Sequence, residues 1–103
     1  MNNAFEALQH WYFSQCDEDW EHQYGVKIET LDNPGWLVTI DLENTDLHGA
    51  AAPLLFVERT QTDWWQFEVT DNKFIGCGGA LNLGEVIEKF LEFWRSNVND
   101  HPH

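Results

Sequence analysis

Apolar residues along the chain change from a helical spacing to strict alternation and back again. Phe5, Leu8, Trp11 and Tyr12 recur at steps of three and four, which predicts a helix over about 4–14. Asn3 can cap it, with Glu6 three residues on to close a capping box. Residues 15–24 read as a polar connection rich in acids, ended by Gly25. Alternation then begins. Val26, Ile28 and Thr30 oppose Lys27, Glu29 and Leu31, and Trp36, Val38, Ile40 and Leu42 oppose Leu37, Thr39 and Asp41. Between the two runs lies Asp32-Asn33-Pro34-Gly35, where proline presets φ and glycine accepts a positive φ. These runs are expected to be antiparallel neighbours.

After a looser stretch of small residues, Pro53 opens a third strand over 54–60, and Gln61-Thr62-Asp63 turns the chain into a fourth over 64–70. Asp71-Asn72 suits a two-residue hairpin turn into a short fifth strand over 73–76. Gly76, Gly78 and Gly79 are expected to supply unusual backbone angles where strand turns to helix. A last helix starts at Asn82, a cap with Glu85 three residues later, and carries the stripe Leu83, Val86, Ile87, Phe90, Leu91 and Trp94. Residues 97–103 read as a frayed tail.

The expected fold class is α+β: an antiparallel sheet of four or five strands, flanked by an N-terminal and a C-terminal helix packed on one face. The 103 residues suit a single domain spanning 1–103. Trp36, Val38, Ile40, Trp65, Phe67 and Val69 would face the core. Glu29, Thr39, Asp41, Trp64, Gln66 and Glu68 would line the opposite face, which is either a binding surface or merely a solvated one.

Charge changes the picture most. Eighteen Asp and Glu against five Lys and Arg give a formal net charge of -13. Phosphate-rich partners are disfavoured, so neither a free nucleic acid nor an anionic membrane is expected. A basic protein would be steered in. The charge is also uneven: residues 17–46 hold Asp17, Glu18, Asp19, Glu21, Glu29, Asp32, Asp41, Glu43 and Asp46, with Lys27 the only base. The N-terminus has neither the basic start nor the apolar run of a signal peptide, and the two cysteines have no metal-like or redox-like spacing. A cytoplasmic protein with reduced thiols is expected, although spacing alone leaves a Cys16–Cys77 disulfide open.

Catalytic readings find little support. Asp17, Asp19, Glu21 and His22 suggest a metal, but a calcium loop counted from Asp17 needs Gly and Glu where His22 and Ile28 stand. Cys77 precedes a helix, but no Lys or Arg follows to activate it, so a buried structural thiol is the better reading. The glycines lack the Lys-Ser or Lys-Thr of a phosphate loop. Ser14 and Ser96 are the only serines, and the five histidines are scattered. No metal, cofactor or catalytic residue is expected. Trp11, Trp36, Trp65 and Trp94 fit core-facing stripes. Trp20 and Trp64 fit less well, and each serves either as an interfacial contact or as a cap on the core edge.

Several stretches resemble the immunity protein 53 family. They are Trp11-Tyr12, Cys16-Asp17, Asp19-Trp20-Glu21-His22, Tyr24-Gly25-Val26, the run 30–36 (Thr-Leu-Asp-Asn-Pro-Gly-Trp), Ile40-Asp41-Leu42, Asp63-Trp64 and the run 90–94 (Phe-Leu-Glu-Phe-Trp). The resemblance implies a cytoplasmic antidote of a bacterial polymorphic toxin system, which blocks a cognate toxin by tight binding. Such toxins are often nucleases with basic surfaces. The expected partner contacts are Asp17, Glu18, Asp19, Trp20 and Glu21, with Glu29, Asp41, Trp64 and Glu68 from the open sheet face. A small cysteine-dependent enzyme of sulfurtransferase type and an acidic interaction domain of some other assembly are the alternatives.

Overall fold

The computed structural model describes residues 3–98. Helix α1, Ala4–Gln15, starts as its sequence requires: Asn3 Oδ1 accepts from the N–H groups of Phe5 and Glu6 at 3.0 and 3.2 Å. Five strands follow, β1 Val26–Leu31, β2 Gly35–Asp41, β3 Ala52–Glu58, β4 Trp64–Thr70 and β5 Lys73–Gly78, and helix α3, Leu83–Val98, is the last element among the described residues. A short helix that sequence pattern did not predict, α2, Trp20–Gln23, lies in the acidic connection. The strands form one antiparallel sheet in the order β1-β2-β5-β4-β3. The expected α+β class and the placement of the two long helices are both found.

The β1–β2 and β4–β5 turns differ in how far sequence explains them. Asp71 and Asn72 both adopt positive φ, 52° and 57°, the conformation a two-residue turn needs. The Asp32–Pro34 turn is built differently from the expectation. Its Asn33–Pro34 peptide is cis, and Gly35 is already the first residue of β2. A side chain there would press on the Gly78 carbonyl oxygen, 2.5 Å from the Cβ position.

The glycines near residue 78 also require a correction. Gly76 and Gly78 lie inside β5, the central strand, on the face that carries Phe74. A Cβ on Gly76 would lie 2.7 Å from both Phe74 and Val86, and one on Gly78 would lie 2.7 Å from Val86. Their role is to leave room for α3, not to supply a turn. Trp36 and Trp65 flank Gly78 from the two neighbouring strands. Val38, Ile40, Val69 and Phe74 from the sheet meet Leu8 and Trp11 of α1 and Val86, Ile87, Phe90 and Leu91 of α3 in a common core. Trp11 and Phe74 each pack edge-on against Phe90, at 4.9 and 5.2 Å.

One ionic cluster ties the β3–β4 turn to the start of α3. The Arg59 guanidinium meets both Asp63 carboxylate oxygens and the Glu85 carboxylate, and Asn82 Nδ2 donates to Asp63 at 2.9 Å and to Glu85 at 3.0 Å. Asn82 thus grips Glu85 by its side chain, a different bond from the expected capping box. Arg59 and then Asn82 hold the Asp63 carboxyl down at about 2, and Arg59 holds Glu85 below its ordinary value. A carboxylate whose pKa is depressed by folding adds stability above its unfolded pKa and loses it as pH falls through the folded value. Arg59→Gln is therefore expected to move the midpoint of acid unfolding to higher pH. An acid titration followed by tryptophan fluorescence checks this, and an unmoved midpoint would count against the cluster. The expected frayed tail is corrected at its start: Asn97 and Val98 are helical, and Asn97 Nδ2 donates to the Phe93 carbonyl at 2.8 Å. The rest of that tail, 99–103, lies outside the described residues.

Candidate functional site

The helices cover one face of the sheet and leave the other bare. Register decides what the bare face presents. Glu29, Leu37, Cys77, Gln66 and Phe56 stand in one row across all five strands, and Lys27, Thr39, Ile75 and Glu68 stand in the next across four. Trp64 and Glu58 are paired at one end, with the Trp64 ring 6.3 Å from Phe56. The face therefore has a half-buried apolar middle of Leu37, Ile75 and Cys77, an aromatic end, and glutamates around it. Glu29, Glu58 and Glu68 have no hydrogen-bond or ion-pair partner among the described residues.

Most bases of the chain are already engaged. Arg59 is held by Asp63 and Glu85, Lys73 by Asp41, and Lys89 by Glu92 and the face of Trp65. The free glutamates thus keep their charge available to an outside cation. Asp41 differs. Its carboxylate accepts from Lys73 Nζ at 2.6 Å and from the Gly25 N–H at 3.0 Å. It fastens the start of β1 to the sheet, so this expected partner contact is not a free carboxylate in the unbound protein.

The acidic connection is corrected more strongly. Trp20 is only 3% exposed, packs edge-on against Trp11 at 6.0 Å, and donates from Nε1 to the Glu43 carbonyl at 2.8 Å. Its side chain is a core anchor, the second of the two roles its sequence left open. Apolar contact with α1 outweighs the polarity of its sequence neighbours, and α2 forms around it. Asp17 Oδ1 accepts from the N–H groups of Asp19 and Trp20 at 3.0 and 2.9 Å, and the Glu21 carboxylate accepts from those of Asp17 and Glu18 at 3.0 and 2.9 Å. Glu18 takes a positive φ of 77° to close this loop. The Trp20 and Asp19 amides lower the Asp17 pKa, and backbone amides, its own first, lower that of Glu21. These two carboxylates shape the loop. Glu18 and Asp19 are left exposed on it, with no hydrogen bond to their side chains among the described residues.

Of the sequence-predicted residues, Glu29, Asp41, Trp64 and Glu68 share the bare face, while Glu18 and Asp19 lie in the α1–α2 connection. Leu37, Ile75, Phe56 and Glu58 were missed. Alternation in β2 already assigned Leu37 to that face, but β3 is apolar on both faces and its alternation is uninformative.

The thiols are free. Cys77 lies in β5 on the bare face, and burial pushes its pKa up, which disfavours the thiolate a nucleophile needs. No group of three or more potential metal ligands occurs among the described residues. No described helix is long and apolar enough to cross a membrane.

A helix-backed antiparallel sheet with one bare, acid-rimmed face defines a small α+β domain. The chain belongs to the immunity protein 53 family, whose model matches residues 5–95, most of its length. It is thus an immunity protein, consistent with neutralising a toxin, and such proteins are generally not enzymes. No curated protein and no solved structure matches the chain.

Proposed function

We propose that this protein neutralises a basic, nuclease-type toxin in the cytoplasm by capping it with the bare sheet face. The observation that carries the reading is the apolar strip of Leu37, Ile75 and Cys77, ended by Phe56 and Trp64 and rimmed by the unpaired Glu29, Glu58 and Glu68. Apolar surface supplies contact area, and the rim steers and orients a cationic partner. Carboxylates presented on a rigid sheet offer a toxin's phosphate-binding Arg and Lys side chains an alternative ligand. Glu18 and Asp19 at the α1–α2 corner add to the same field. Neutralisation requires only occupancy, so inhibition should reach completion at a fixed molar ratio with no turnover.

The probe for the test is a toxin domain identified by searching the genes that flank this one. Trp64 is half-buried, next to Phe56, and of a residue type that dominates binding energies. Trp64→Ala is expected to weaken toxin binding by about 2 kcal/mol or more, roughly 30-fold in Kd. Calorimetric titration checks this against a thermal melt of the variant. An unchanged Kd in a folded variant would remove the bare face as the site.

A further inference from the structure

We propose that the toxin completes the sheet by pairing a strand of its own with β3, an inference that rests on the toxin-binding reading above. The two edges of the sheet are differently protected. β1 places Lys27 and Glu29 between its apolar residues, charges that oppose pairing with a foreign strand. β3 carries none from Ala52 to Val57, and Leu54, Leu55 and Phe56 are 55%, 49% and 52% exposed. Alternate residues of an edge strand turn their N–H and C=O groups outward, ready for a ladder. Pro53 occupies only the start of the strand, beside the irregularity between Ala52 and Leu55, and leaves 54–58 open.

A groove lies beside this edge on the helix side. Helix α3 packs over β2, β5 and β4, and between it and Leu55 runs a cleft of about 300 Å³ lined by Trp65, Phe67, Phe93 and Ser96. A strand added to β3 would place every second side chain in that cleft beside Leu55. Its other side chains would join Leu54 and Phe56 on the bare face.

Charge selects the occupant. Glu58 ends the strand, Glu68 stands across from the Pro53–Leu54 irregularity, and Glu92 rims the cleft. The nearby cations, Arg59 and Lys89, are already engaged. A second copy would bring another -13 against these glutamates. A strand alternating apolar residues with Lys or Arg fits both sides of the edge, its apolar side chains in the cleft and its cations near Glu58 and Glu68.

Hydrogen exchange of the whole protein, alone and with the toxin domain identified as above, tests the pairing. The outward-facing amides among residues 54–58, those not already bonded to β4, are expected to slow at least tenfold in the complex. Leu55→Arg, at a half-exposed position, is expected to weaken binding at least tenfold without loss of fold. Unchanged exchange in β3 of the wild-type complex overturns the pairing, as does wild-type affinity in a folded Leu55→Arg. If Trp64→Ala still loses binding in that case, the neutralising reading stands and only the strand pairing falls. A toxin domain that does not bind the wild type sinks both. A self-associated protein whose β3 amides are already protected in the absence of toxin makes the occupant a second copy and also overturns the proposal.

Discussion

Replacing Glu29 and Glu68 together by lysine is expected to abolish protection against the toxin while leaving the protein folded. Both carboxylates are free of internal partners, so no hydrogen bond is lost with them. They stand on opposite sides of the apolar strip, Glu29 on edge strand β1 and Glu68 on β4. Reversal changes the formal net charge by +4, from -13 to -9, and all of that change falls on one face. Like charges brought together in an interface cost several kcal/mol, so Kd should rise by roughly 10² to 10³-fold. A large part of the loss should appear in the association rate and shrink as salt is raised, because steering over a Debye length is screened. Stopped-flow association at two ionic strengths separates this from a loss of fold. The control is Glu18→Lys with Asp19→Lys, the same charge change at the α1–α2 corner, where a smaller loss is expected. Equal losses from the two pairs would mean that net charge and not the bare face governs binding.

The choice of Glu29 and Glu68 over their acidic neighbours shows where sequence reading stops. Alternation along β1 and β4 gives the face of each residue, because a strand has only two. The same rule located Trp64 and the core positions Val38 and Ile40. Local turn chemistry was equally legible at Asp71-Asn72, and so was the Asn3 cap. What alternation does not give is the company a residue keeps. Asp41 lies on the bare face as expected, but β5 brings Lys73 against it, and strand order is a long-range property. The segment 17–21 looked like a free acidic surface because four carboxylates surround one tryptophan. Trp11, Tyr12 and Tyr24 surround the Trp20 ring, its Nε1 donates to the Glu43 carbonyl, and Asp17 and Glu21 turn back to hold the amides of the loop. The Glu43 carbonyl lies far from residue 20 in the sequence, and nothing local announces that bond. Position 55 was unreadable for the same reason, since nothing local makes β3 an edge strand.

Gly76 gives the largest expected effect on stability. Gly76→Val is expected to cost about 3 kcal/mol, the upper end of the range for overpacking a well-filled core. In a domain of this size that corresponds to a fall in Tm of roughly 10–20 °C. The reason is local and steric. Phe74 and Val86 are 0% and 1% exposed, and each already stands where a Cβ on Gly76 would come within 2.7 Å. Phe74 cannot swing aside, because Phe67 stacks on it at 5.3 Å and Phe90 meets it edge-on at 5.2 Å. Val86 can retreat only if α3 lifts, which would open the contacts of Ile87, Phe90 and Leu91 with the sheet. Part of the clash should therefore be relieved by Val86→Ala, so that the double variant is more stable than the sum of the two single losses predicts. Gly84 supplies the contrast. It lies in the first turn of α3 with nothing within 4 Å of its Cβ position, and Gly84→Ala should stabilise by up to about 1 kcal/mol through helix propensity alone. Thermal melts of the four variants check the series. Strict additivity of Gly76→Val and Val86→Ala would show that the helix is not seated on that glycine. Because Gly76 faces the helices, a Gly76→Val protein that remains folded should still bind the toxin, and Glu29→Lys with Glu68→Lys should do the reverse.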